Sequence, residues 1–213
     1  MPRIPLRLIF AIITTLSSIT LLAWGISSPG RLTLRPSLQS AQTQLSETRI
    51  LNLDFPPIIR AGEGDRVRLD LEASDQTQAA AIPNIYETHH ILAEARLDMA
   101  GVDVRPPDTV SEPLLPGQGA TFFWSIHPVE AGRFTGTVWF YLRFIPKNGE
   151  PERRQTVSAQ AIEIEATTLF GLRGELARWL GVVGAFVSSL LGIPFLVDAI
   201  KWLWKRRITT QAL

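Results

Sequence analysis

Residues 121–145 read TFFWSIHPVEAGRFTGTVWFYLRFI, and their reading decides the fold. Successive side chains of a strand point to opposite faces, and here two strand-like runs meet at a polar turn. In the first, Phe122, Trp124 and Ile126 share one face, with Thr121, Phe123, Ser125 and His127 on the other. In the second, Phe134, Val138, Phe140, Leu142 and Phe144 share a face, opposite Thr135, Thr137, Trp139, Tyr141 and Arg143. Each run has one face fit for a core and a mixed face that also carries rings. A hairpin turn near Glu130 would set Phe123 diagonal to Trp139 on the mixed face, within reach of large rings.

The same period of two appears on both sides of this stretch. Residues 49–55 (RILNLDF) alternate and stop at Pro56-Pro57, which cannot donate to a ladder. After a turn at Gly62-Glu63-Gly64-Asp65, Val67, Leu69 and Leu71 alternate with Arg68, Asp70 and Glu72. Residues 91–99 and 155–166 read as further strands, 102–115 as a proline-punctuated crossing, and 73–88 as a long surface connection. About seven short strands separated by turns, with no helical period among them, predict a mainly β protein built as a sandwich.

The corner at 120–138 resembles the link between the fifth and sixth strands of immunoglobulin-like domains. There an acid, a small residue, glycine and an aromatic follow one another, and here these are Glu130, Ala131, Gly132 and Phe134. The resemblance implies an immunoglobulin-like β-sandwich. Phe134 replaces the usual tyrosine and Gly136 the cysteine of antibody-type members, so neither the corner hydrogen bond nor the disulfide is available.

Two uncharged runs of 19 residues flank the β region, 8–26 (LIFAIITTLSSITLLAWGI) and 179–197 (WLGVVGAFVSSLLGIPFLV). A helix needs roughly 20 apolar residues to cross a bilayer, so both are expected to span, with the lipid bilayer as partner. Residues 1–24 and 179–213 hold six basic residues against Asp198 alone, a balance of +5; residues 25–178 hold 15 basic and 19 acidic, a balance of −4. Basic residues near span ends stay cytoplasmic, which puts both termini inside the cell membrane and the β region outside it. The first run also suits a cleaved signal peptide, with small residues at Ala23 and Gly25. The expected organisation is a first span at 1–26, a linker at 27–47, the sandwich at 48–166, a connector at 167–178, a second span at 179–204 and a tail at 205–213. Trp24, Trp179, Trp202, Trp204, Lys205, Arg206 and Arg207 read as anchors at the membrane interfaces. Gly181, Gly184, Ala185, Ser188 and Gly192 include small residues four apart, the spacing that lets helix backbones approach. They mark the second span for a helix contact, including one between copies of the chain.

Motifs for chemistry are missing. No Gly-x-Ser-x-Gly elbow, phosphate loop or dinucleotide fingerprint occurs. His89 and His90 are neighbours on a strand and point to opposite faces, and the acidic turn at 62–65 lacks the ordered oxygen ligands of a calcium loop. The chain has no cysteine, which excludes thiol redox chemistry. Neither catalysis, cofactor, metal nor nucleic acid is expected. Two readings of the mixed faces stay open. Either the linker or another strand covers the rings, or Phe123, Trp139 and Tyr141, with Arg143 at the margin, form a partner-binding patch of the residue types that anchor interfaces. The expected role is a non-catalytic membrane protein that presents its sandwich to another membrane or envelope protein, as an accessory or scaffold subunit. The alternative is a ligand-binding or sensory ectodomain with the connection at 73–88 as a pocket rim.

Overall fold

The computed structural model describes residues 6–27, 30–35, 37–38, 45, 47–73 and 85–190. The chain divides into two compact units, Pro29–Thr168 and Met1–Ser28 with Leu169–Leu213.

The first unit is a β-sandwich. Its strands are β1 (Leu32–Leu34), β2 (Ser37–Leu38), β3 (Arg49–Phe55), β4 (Ile58–Arg60), β5 (Asp65–Ala73), β6 (His89–Met99), β7 (Asp103–Arg105), β8 (Val110–Leu114), β9 (Ala120–His127), β10 (Gly132–Pro146) and β11 (Arg153–Thr167). One turn of helix, α2 (Ile85–Thr88), precedes β6. Among the described residues one sheet runs β1-β3-β5-β9-β7, with β2 also on β3, and the other β4-β11-β10-β6-β8. The order β3-β5-β9-β7 facing β11-β10-β6 is the four-against-three arrangement of an immunoglobulin-like sandwich. Alternation along each strand fills the space between the sheets. Leu51, Leu53, Val67, Leu69, Phe122, Trp124 and Ile126 of one sheet meet Ala93, Ala95, Val138, Phe140, Leu142 and Ile164 of the other, all buried. The Phe122 ring stands edge-on to Phe140 at 6.4 Å, which ties the two sheets at the centre.

Three expectations change. The aromatic runs do not form a hairpin, because β9 and β10 belong to different sheets and residues 128–131 carry the chain across the sandwich. The expected linker at 27–47 instead supplies β1 and β2, on the edge of the first sheet, and Leu45, which is fully buried. The crossing at 102–115 holds two short edge strands, β7 and β8; proline is tolerated at an edge, and Pro113 sits within β8 opposite Leu92. The Pro56-Pro57 break has a further consequence. It moves the chain from β3 in one sheet to β4 in the other, where β4 lies parallel to the end of β11 and Glu165 N–H donates to Pro57 O at 2.9 Å. Of the connection at 73–88, residues 74–84 lie outside the described residues.

Arg49 locks one end of the sandwich. It is fully buried, pairs with Glu47, and donates to the carbonyls of Gln118 and Leu115 and to the Tyr86 hydroxyl. Tyr86 in turn donates to Glu47 Oε1 at 2.8 Å, and Gly117 N–H to Glu47 Oε2 at 3.1 Å. Burial pushes the Tyr86 phenol well above its ordinary range; Glu47 adds to the shift and the Arg49 charge opposes it.

In the second unit α1 (Leu6–Ile26) and α3 (174–190) are helical. Side chains are described at 12–26 of α1 and 174–190 of α3. Among the described residues no helix is long and apolar enough to cross a membrane.

Candidate interaction surface

The period of two in β10 turns Val138, Phe140, Leu142 and Phe144 into the core and leaves Thr135, Thr137, Trp139, Tyr141 and Arg143 on the outer face of the five-stranded sheet. β6 and β11 flank β10, so the register decides what each of these touches. Tyr141 stands opposite Glu94 and Thr156, Trp139 opposite Arg96 and Ala159, and Thr137 opposite Asp98 and Ala161. The Trp139 and Tyr141 rings stack at 6.3 Å with 11° between their planes. On Tyr141 lies the Arg154 guanidinium, 3.9 Å from the ring centre.

Glu94 holds this group together. It points to the outer face, yet only 1% of its side chain is exposed, because two arginines close over it. Arg143 Nε lies 2.8 Å from Oε1 and Arg154 Nε 2.7 Å from Oε2. Ser111 Oγ donates weakly to Oε1 at 3.4 Å. Oε2 has no aligned hydrogen-bond donor, so Arg154 holds it as a charge rather than through a directed bond. Two cations share the one buried carboxylate, and Glu152, 3.7 Å from Arg143, brings the formal charge of the four groups to zero.

Beside the stack the surface falls away. Thr135, Thr137, Ala161, Asp98 and Glu163 line an open groove of about 770 Å³, because short side chains follow the two rings along β10 and β11. Gly136 belongs to the same construction. A Cβ there would lie 2.8 Å from the Asp98 carbonyl oxygen, so only glycine lets β10 and β6 approach this closely.

The structure brings Trp139, Tyr141 and Arg143 together and sets Phe123 apart. Phe123 lies on the outer face of the other sheet, half exposed, with the Arg68 guanidinium 5.5 Å from its ring centre. The cause is the crossing at 128–131, since two strands that share a core from opposite sides turn their mixed faces away from each other. Glu94 and Arg154 were not legible as members of this cluster. Both occupy ordinary outward positions in alternating strands, and only the pairing of β6 and β11 with β10 joins them. His89 meets Thr88 Oγ1 at 2.8 Å and the edge of Phe144, while His90 is exposed. Among the described residues no group of acids and histidines could hold a metal ion.

In the helical unit, α1 and α3 run antiparallel and touch through small residues. Gly181 faces Leu22, Gly184 faces Ser18, and Ser188 Oγ donates to Thr14 Oγ1 at 3.0 Å. Ser18 donates to the Thr14 carbonyl at 2.7 Å, so its hydroxyl is satisfied along its own helix. A side chain at Gly184 would collide with Ser18, and one at Gly181 would stand 2.7 Å from Leu22 Cγ. Ala185 is exposed, as is Trp179 at 63%, and Trp24 is partly buried. Gly192, Trp202, Trp204, Lys205, Arg206 and Arg207 lie outside the described residues.

No family model and no curated protein matches the chain. Among solved structures it is similar to the ASH/PapD-like domain 7 of human CEP192, with 11% identity, 56% of this chain and 86% of that one covered, and a TM-score of 0.32. It is similar also to AggA, the major subunit of aggregative adherence fimbriae type I from Escherichia coli (12% identity, 66% and 98% covered, TM-score 0.31), and to WR4, a C. elegans MSP family member (10%, 53% and 94%, TM-score 0.29). At these values the likeness extends to a β-sandwich and no further.

Proposed function

We propose that the chain is a non-catalytic membrane protein that displays its sandwich outside the cytoplasm and binds another membrane or envelope protein through the outer face of the five-stranded sheet. The observation that carries the binding reading is the Trp139–Tyr141 stack, partly buried in the outer face and held by Arg154 and the buried Glu94. Trp, Tyr and Arg are the residues that most often dominate binding energy. Here their conformations are fixed in advance, so a partner meets them without a large ordering cost. Arg154 of β11 lies on the Tyr141 ring, and both rings keep part of their surface open to a partner.

Anchoring is supported by the inverted pattern of the helical unit. The residues buried between α1 and α3 are small or polar, among them Ser18, Gly25, Gly181 and Ser188, while Leu16, Ile19, Val182, Val183, Phe186 and Leu190 are exposed. In water this arrangement would expose most of the apolar surface it ought to hide. In lipid it is the favoured one, because tails solvate leucine and valine as well as another helix would, and small residues allow close backbone packing. In the sequence the uncharged runs at 8–26 and 179–197 are each 19 residues long, close to the roughly 20 that a span needs, and the +5 and −4 charge division gives them an orientation.

The test is a photo-crosslinking residue placed singly at Trp139, Thr137 and Phe123 of the full chain in its own membranes. Adducts of one defined size from 139 and 137, and none from 123, are expected. Equal adducts at all three, or none at 139 and 137, would remove the binding assignment. A cysteine at Asn148 that an impermeant maleimide cannot reach in intact cells would remove the external placement.

A further inference from the structure

Between β11 and α3 the chain makes a two-residue hairpin. Leu169 N–H donates to Leu172 O at 3.2 Å, and Leu172 N–H donates to Leu169 O at 2.9 Å. Its two central residues, Phe170 and Gly171, have φ of 53° and 77°. Such a turn requires φ above zero at both positions, and its usual occupants are Asn-Gly, Asp-Gly or Gly-Gly. Gly171 meets that demand without strain. Phe170 does not, since an L residue with a bulky side chain is strained in the left-handed region.

The same Phe170 is 88% exposed. Strained backbone and an uncovered ring together are unfavourable in water and gain nothing there. Its surroundings within the helical unit are apolar. Phe170 and Leu172 border a hollow of about 380 Å³ against Leu16, Ser17, Thr20 and Leu21 of α1. Thr20 Oγ1 already donates to the Leu16 carbonyl at 2.9 Å, so this hydroxyl does not oppose an apolar occupant. At 1.5 Å per residue, residues 16–21 lie about 8–15 Å before the end of α1 at Ile26. The hairpin tip therefore reaches back along the helix, away from its end. Arg173, exposed, follows directly at the base.

We infer that the hairpin Leu169–Leu172 is a wedge inserted into the outer leaflet beside α1, with Phe170 among the acyl chains, an acyl chain in the hollow, and Arg173 at the phosphate level. This rests on the membrane reading given above. Insertion resolves both oddities at once. The exposed ring gains hydrocarbon burial, which offsets its strained backbone, and the hollow continues the apolar surface formed by Leu16 and Ile19.

The chain has no cysteine, so one introduced residue carries one label. The full chain is reconstituted in phosphatidylcholine vesicles with an environment-sensitive fluorophore on Phe170→Cys, on Leu16→Cys as a depth reference, or on Asn148→Cys as a water reference. Nitroxides on the lipid acyl chain then quench by depth. The expected result is a blue-shifted label at 170 that loses fluorescence as strongly as the label at 16, with the label at 148 unquenched. A label at 170 that behaves like the one at 148 while 16 is quenched overturns the wedge and leaves the anchoring intact. Labels at 16 and 170 that both stay unquenched overturn the two together. Leu172→Cys gives a second reading of the same hairpin if labelled Phe170→Cys does not assemble.

Discussion

Arg154 bridges two groups at once: its guanidinium lies 3.9 Å from the Tyr141 ring centre while its Nε stands 2.7 Å from Glu94 Oε2. One cation thus couples a buried carboxylate to an aromatic stack on the surface. Glu94→Gln should leave Arg143 and Arg154 facing each other without their counter-charge. Breaking a buried pair from one side costs several kcal/mol, but both arginines are more than a third exposed and can turn to solvent, so a loss of about 1–3 kcal/mol is expected. Denaturant unfolding of the full chain in detergent measures it. Arg154→Ala should lose less, about 0.5–1 kcal/mol for the cation over the ring. An unchanged midpoint for Glu94→Gln would mean that the carboxylate does not organise the face.

The helix contact through Gly184 and Ser18 has a direct chemical readout. Thr14 Oγ1 and Ser188 Oγ are 3.0 Å apart, so the double variant Thr14→Cys, Ser188→Cys should oxidise readily to an internal disulfide in the otherwise cysteine-free chain. Adding Gly184→Leu should abolish that product, because its side chain meets Ser18 and forces the helices apart. Insertion should persist, since leucine is favoured in lipid. A disulfide yield unaffected by Gly184→Leu would show that the helices meet by another face.

Tyr86 predicts an alkaline limit to the fold. Its phenol is raised in the folded state, first by burial and then by Glu47. A group raised above its unfolded value, about 10 for tyrosine, contributes stability that is complete below that pH and is lost as pH rises toward the folded value. In a Tyr141→Phe background, where Tyr86 is the remaining tyrosine, phenolate absorbance should appear together with loss of β-sheet circular dichroism above pH about 10. Phenolate that appears while the β signal is intact would place Tyr86 in solvent.

For the long strands, identity and the direction each face takes were settled by local sequence, whereas the short strands β1, β2, β7 and β8 carry too few residues to show a period. Phe122, Trp124 and Ile126 in one strand, and Val138, Phe140, Leu142 and Phe144 in the other, are buried because side chains alternate along an extended chain whatever it pairs with. The small-residue set at 181–188 was equally visible, as helical spacing is a local property. Ala185 was visible with it and is exposed, since spacing groups residues without saying where the neighbouring helix lies.

Tertiary structure alone decided which strands became neighbours. Backbone ladders are blind to side-chain identity, so nothing local told β10 to take β6 and β11 rather than β9. That choice separated Phe123 from Trp139, which are close in sequence, and delivered Glu94 and Arg154, which are distant, to the Trp139–Tyr141 stack. Burial of Glu94 is likewise a product of pairing. In sequence it is one more outward acid in an alternating strand, and only two arginines brought from other strands shield it from water.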